Sequence, residues 1–145
     1  MTATFQLVID CADPEPLARF WVAALGYEFE PPPDGYDNWD DYWRAVGVSE
    51  DELGLGLDCI VDPARRGPRI WFQVVPEKKS FKNRLHLDIH TDDLDAEVAR
   101  LERLGAERVQ KVQTWQVMRD PAGLLFCVLP MRPGSLTDEN ARRWE

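Results

Sequence analysis

Long apolar runs are missing from this sequence. No stretch approaches the roughly 18 apolar residues of a membrane span, and no charged start leads into an apolar run. Neither a spanning helix nor a signal peptide is therefore expected, and a cytoplasmic protein is the default. Cysteine is scarce: Cys11, Cys59 and Cys127 stand singly, without CxxC spacing. Such an odd, scattered count reads as reduced thiols packed as small hydrophobes, not as a disulfide framework. Basic residues nearly vanish from one long segment. Between Glu28 and Glu52 there are nine acids and a single base, Arg44, for a net charge of −8. That field repels nucleic acid and anionic lipid. The small basic clusters, Arg65-Arg66 with Arg69 and Lys78-Lys79 with Lys82 and Arg84, sit beside turn residues and read as solvated loops. Neither nucleic acid nor membrane is an expected partner.

What is present is enough apolar material for a core. The 145 residues are 44% hydrophobic and include six tryptophans, which suits one globular domain without staples. The chain reads as two similar halves. Phe5, Leu7 and Ile9 alternate with Gln6, Val8 and Asp10, the period of a strand with one buried face. Asp13-Pro14 opens a helix as N-cap and first-turn proline, Leu17, Phe20, Trp21, Ala24 and Leu25 recur at helical spacing, and Gly26 stops it. In the second half Leu85, Leu87 and Ile89 alternate with His86, Asp88 and His90. A helix then carries Leu94, Val98, Leu101 and Leu104 and ends at Gly105. Asp13 and Asp93 are 80 positions apart, as are Gln6 and His86; the helix stops are offset by 79. Equal offsets across strand, cap and stop imply an internal duplication.

Strand-like runs follow each helix: Leu55–Val61 and Arg69–Val75 in the first half, with Arg108–Val112, Trp115–Met118 and Leu125–Leu129 in the second. Asp62–Pro68 and Asp120-Pro121-Ala122-Gly123 are the turns. The expected layout is a first module over about 1–76 with an acidic insertion at 30–54, a second over about 83–130, and a polar tail at 131–145 in which Trp144 has apolar surface to pack.

Strand, helix and three strands, twice over, resembles the module of the vicinal oxygen chelate superfamily. Lys82-Asn83-Arg84-Leu85-His86-Leu87-Asp88-Ile89 and Asp120-Pro121-Ala122-Gly123-Leu124-Leu125-Phe126-Cys127-Val128-Leu129 look like segments of its glyoxalase-like branch. The resemblance implies an α+β fold, with two βαβββ modules pairing into a curved, cup-shaped mixed sheet and helices on the convex side. It also implies a small-molecule site on the concave face and a homodimer. It does not imply one reaction, because one fold hosts many functions. Two classes stay open: a lyase or dioxygenase relative, and a metal-independent binding protein resembling the bleomycin-resistance proteins.

Strand alternation turns Gln6 and Asp10 toward the cup in one half, with Trp71 and Gln73 sharing a strand face, and His86, Asp88 and His90 toward it in the other. Carried over by resemblance, the superfamily's metal positions fall on Gln6, Gln73, His86 and Cys127. No carboxylate occupies any of them, and a divalent ion needs strong donors. No cofactor is therefore expected, a divalent metal being the alternative. His86 is the leading candidate for proton transfer or ligand contact, since imidazole titrates near neutral pH, and Asp88 is its nearest acid. His90 stands about 13 Å from His86 along a strand, too far to share an ion. The acidic insertion favours a cationic or neutral aromatic ligand over an anionic one. Its Trp39 and Trp43 suit either a lid or a dimer contact.

Overall fold

The computed structural model describes residues 3–53, 57–112 and 114–130; the tail at 131–145, Trp144 included, lies outside them. The chain divides into two compact units, Met1–Lys79 and Ser80–Glu145. Each unit contains one four-stranded mixed sheet with a helix packed against it.

The first unit runs β1 (Leu7–Cys11), α1 (Pro14–Leu25), β2 (Glu28–Phe29), α2 (Trp39–Ala45), a single 3-10 turn at Glu50–Glu52, β3 (Cys59–Val61) and β4 (Ile70–Val74). The second runs β5 (Asp88–His90), α3 (Leu94–Leu104), β6 (Glu107–Val112), β7 (Trp115–Arg119) and β8 (Leu125–Leu129). The sheets have the same order, β1-β4-β3-β2 and β5-β8-β7-β6. In each, the first and last strands pair in parallel and the remaining pairs are antiparallel. The duplication expected from the offsets is thus a duplication of topology, and the α+β fold of two βαβββ modules is present.

Each core lies between a sheet face and its helix. Leu17, Phe20, Trp21 and Ala24 of α1 are buried with Ile60, Ile70 and Phe72, and Trp21 meets Phe20 edge-on at 5.1 Å between ring centres. Val98 and Leu101 of α3 are buried with Met118, Phe126 and Val128. Both helices stop at a left-handed glycine, Gly26 at φ 71° and Gly105 at φ 116°, where a side chain is disfavoured. Their starts differ. Asp93 caps α3 by accepting from Ala96 N at 3.1 Å, whereas Asp13 holds the N-cap position of α1 without a side-chain cap bond.

Three sequence expectations need correction. The first strand of each module is shorter and begins later than alternation suggests, at Leu7 and at Asp88. Phe5 and Leu85, expected on the buried faces, are 72% and 81% exposed. Leu85 lies in a loop pinned by Asn83, which donates to the carbonyls of Leu85 and Leu125 and accepts from Leu125 N. These side-chain bonds satisfy the backbone that a strand ladder would otherwise use. The run from Leu55 forms β3 only over Cys59–Val61, residues 54–56 lying outside the described ones. The two-residue strand β2 carried no periodic signal.

The turn before β4 matters for the site. Asp62 accepts from Ala64 N, Arg66 N and Gly67 N, and these amides hold its carboxyl below the usual range. Tyr27 Oη donates to Pro68 O at 3.1 Å and passes so close to Gly67 that a Cβ there would clash with it. Only glycine fits under the phenol. Arg69 therefore enters β4 from a turn fixed at both ends.

Candidate functional site

Parallel pairing of β1 with β4 sets Val8 opposite Trp71 and Asp10 opposite Gln73. Ile70 and Phe72 are buried toward α1, so Gln6, Val8 and Asp10 share the other face with Arg69, Trp71 and Gln73. Antiparallel pairing with β3 adds Cys59 beside Trp71. At one end of this face lies a cavity of about 660 Å³, lined by Gln6, Trp39, Trp43, Val48, Glu52, Asp58, Cys59, Arg69 and Trp71.

Three indoles wall it. Trp39 and Trp43 are one turn apart on α2 and stack at 5.6 Å between ring centres and 24° between planes. Trp39 Nε1 donates to Glu30 O at 2.8 Å, and Trp71 Nε1 donates to Asp58 Oδ2 at 3.2 Å. The acidic insertion is shaped by its one base. Arg44 pairs with Asp41 at 3.1 Å and with Glu50 at 2.7 Å, joining α2 to the 3-10 turn next to Glu52. Asn38 caps α2 by accepting from Asp41 N. The insertion thus forms a wall of its own unit's cavity.

Arg69 is held by three partners. It grips Glu30 with Nε and Nη2, donates from Nη2 to Cys59 Sγ at 3.0 Å, and from Nη1 to Gln6 Oε1 at 2.9 Å. Burial and the Asp58 charge push the Cys59 thiol up to about 12, against the opposing pull of Arg69.

The second unit has a cavity of about 570 Å³ whose lining includes Lys82, His86, Asp88, Trp115, Val117 and Cys127. Pairing sets Asp88 opposite Cys127 and Val117 opposite Cys127 on the next strand. His86 Nε2 lies 3.2 Å from Asp88 Oδ1. Nitrogen, carboxylate and sulfur donors of His86, Asp88 and Cys127 all fall within 4.8 Å of one another. Burial, then the Asp88 charge, pushes the Cys127 thiol up to about 11, with Lys82 opposing. At pH 8 only about one in a thousand such thiols is ionised, against about a quarter of unperturbed cysteines. Even allowing for the greater nucleophilicity of a more basic thiolate, iodoacetamide should label Cys127 at least about tenfold more slowly than free cysteine, accelerating as pH rises toward 10. Peptide mass mapping over time checks this, and labelling at the free-cysteine rate would refute it.

Of the sequence candidates, Gln6 and Trp71 line the first cavity, and His86, Asp88 and Cys127 line the second. Asp10 and Gln73 face each other further along β1 and β4. Gln73 is four residues beyond Arg69, about 13 Å at strand rise, whereas Arg69 is bonded to Gln6. His90 pairs with Leu129 at the end of β5 and is not among the lining residues. The register also revises the carried-over position. Asp88 lies opposite Cys127, and its duplicate Val8 lies opposite Trp71, so Trp71 and not Gln73 is the counterpart of Cys127. The first-unit half of the superfamily's metal set therefore does not fit an ion. Gln6 gives its oxygen to a guanidinium, and an indole stands where a second ligand would. Trp39 and Trp43 as cavity walls, together with Arg69, Glu30, Cys59 and Asp58, were not singled out as site residues by sequence reasoning.

These paired modules, each carrying a cavity on its sheet, define a member of the vicinal oxygen chelate superfamily, the class also called glyoxalase/bleomycin resistance/dioxygenase. Residues 6–129 match the family model of the glyoxalase-like domain, and the chain belongs to that family. Among solved structures it is similar to the fosfomycin resistance protein FosX of Mesorhizobium loti, at 14% identity and a TM-score of 0.62 over 98% of this chain and 99% of that one. It is similar also to TnmS3, an antibiotic binding protein of Streptomyces sp. CB03234, at 17% identity and TM-score 0.51 over 89% and 95%. A third likeness is to a glyoxalase/bleomycin resistance protein/dioxygenase family enzyme of Burkholderia phytofirmans PsJN, at 14% identity and TM-score 0.55 over 85% and 94%. At these identities the likeness is one of fold. No curated protein matches the chain. Among the described residues no helix is long and apolar enough to cross a membrane.

Proposed function

We propose that this protein binds a planar aromatic cation in the tryptophan-walled cavity of its first unit, without help from a metal ion. One observation carries the reading. Trp39, Trp43 and Trp71 share a cavity with the carboxylates of Glu52 and Asp58, while the one guanidinium that lines it among the described residues, Arg69, is already matched by Glu30. Indole faces attract cations by about 0.5–2 kcal/mol each, more when water is excluded, and the acidic surroundings add screened attraction. With four of its five N–H donors engaged and its charge matched by Glu30, Arg69 has little to offer an anion. Binding of antibiotics by the structural neighbour TnmS3 is in keeping with a sequestering role. Calorimetric titration with 1-methylquinolinium and with 1-naphthalenesulfonate, matched in size and opposite in charge, tests it. The cation should bind at least tenfold more tightly. Equal affinity, or preference for the sulfonate, would refute the reading.

A second reading rests on the His86, Asp88 and Cys127 cluster. Those three are a donor set for a thiophilic ion such as zinc, with a position left for a substrate oxygen. Under that reading the protein is an enzyme, and His86 and Asp88 are its active residues. Stoichiometric zinc in protein purified without chelator, lost in His86→Ala, would favour it over the binding reading.

A further inference from the structure

We infer that Gln6 is a specificity residue which recognises a hydrogen-bond acceptor on the ligand, because Arg69 claims its amide oxygen and leaves its NH2 for the cavity. The inference rests on the aromatic-cation reading and narrows it to cations bearing a carbonyl-type oxygen.

The argument begins with what arginine can do. A guanidinium has five N–H donors and no acceptor, so the atom that Gln6 turns toward it must be the carbonyl oxygen. Arg69 Nη1 donates to Gln6 Oε1 at 2.9 Å. Arg69 cannot turn away cheaply, since Glu30 holds its Nε and Nη2 and Cys59 takes a further contact from Nη2. The amide is therefore oriented by a group that is itself anchored by Glu30, just past β2, and by Cys59 of β3. Gln6 Nε2 finds no acceptor among the described residues, although Gln6 lines the cavity.

Such an amide is a poor partner for a bare cation and a good one for a ligand oxygen. The same side chain with its oxygen outward would do the reverse. Arg69 thus converts the position from a donor of lone pairs, as a metal would require, into a donor of protons. One neutral hydrogen bond of this kind corresponds to roughly a threefold to tenfold preference.

Two probes separate this from the parent reading: 3-acetyl-1-methylquinolinium, which carries an acceptor, and 3-isopropenyl-1-methylquinolinium, a near-isostere with CH2 in place of the carbonyl oxygen. Affinities are measured by calorimetry for the unmodified protein, Gln6→Ala and Gln6→Glu. The unmodified protein should favour the acetyl probe by about threefold or more. Gln6→Ala should bind both probes about equally, and Gln6→Glu, which offers only acceptors, should lose the preference while still binding cations. Equal binding of the two probes by the unmodified protein, or a preference that survives Gln6→Ala, overturns this inference and leaves the aromatic-cation reading standing. Failure of both probes to bind the unmodified protein overturns both.

Discussion

Trp71→Ala should weaken binding of 1-methylquinolinium by roughly tenfold to a hundredfold while leaving the protein folded. Trp71 is half-buried on β4, paired with Val8 on one side and Cys59 on the other, and its ring borders the cavity. Truncation removes one aromatic face, worth about 0.5–2 kcal/mol toward a cation. It also removes apolar contact area at about 25 cal/mol per Å². The substitution further releases Asp58, whose carboxylate now accepts from the indole N–H. The reading puts the ligand in the first unit's cavity, so His86→Ala, in the lining of the other unit's cavity, should change affinity by less than about twofold. An unchanged dissociation constant in Trp71→Ala, with a large change in His86→Ala, would place the ligand in the second cavity instead.

Trp21→Ala should remove about 3–5 kcal/mol of stability, the usual cost of deleting a buried aromatic. Trp21 has no exposed surface and packs edge-on against Phe20 in the layer between α1 and its sheet. Small domains hold only about 5–15 kcal/mol in total, so the variant should unfold at clearly lower urea concentration or fail to accumulate folded. Denaturation monitored by far-ultraviolet circular dichroism measures it. A midpoint within error of the parent would mean that the core of the first unit is built otherwise.

The duplicated topology was legible because it rests on local signals that repeat. Helix spacing in Leu17 to Leu25 and Leu94 to Leu104, glycine stops at Gly26 and Gly105, and the Asp120 to Gly123 turn each act over a few residues. That turn is built as its sequence indicates, with the Asp120 carboxylate accepting from Ala122 N and Leu124 N. Strand starts were less legible. Phe5 and Leu85 continue the alternation of their neighbours, yet the ladder begins two and three residues later. Nothing in alternation records where pairing begins.

The site was legible only in part, for a related reason. His86, Asp88 and Cys127 meet because His86 and Asp88 are two apart on one face and Cys127 pairs with Asp88. The first half of that is visible in sequence. The Arg69 contact with Gln6 spans 63 positions and depends on the register of β1 against β4, which a slip of one residue would turn over to the other face. The same dependence explains why Gln73 looked like the counterpart of Cys127 when Trp71 is. Trp39 and Trp43 stood out as aromatics in an acidic segment, and their four-residue spacing was a usable sign that they share a helix face. Nothing local linked them to Trp71.

Titration of the protein with 1-methylquinolinium, in EDTA and again with one equivalent of zinc, tests the central claim most directly. The account predicts one site per chain, the same dissociation constant under both conditions, and tryptophan fluorescence quenched as the ring enters among Trp39, Trp43 and Trp71. Binding that appears only with zinc would contradict it and give the function to the His86, Asp88 and Cys127 cluster.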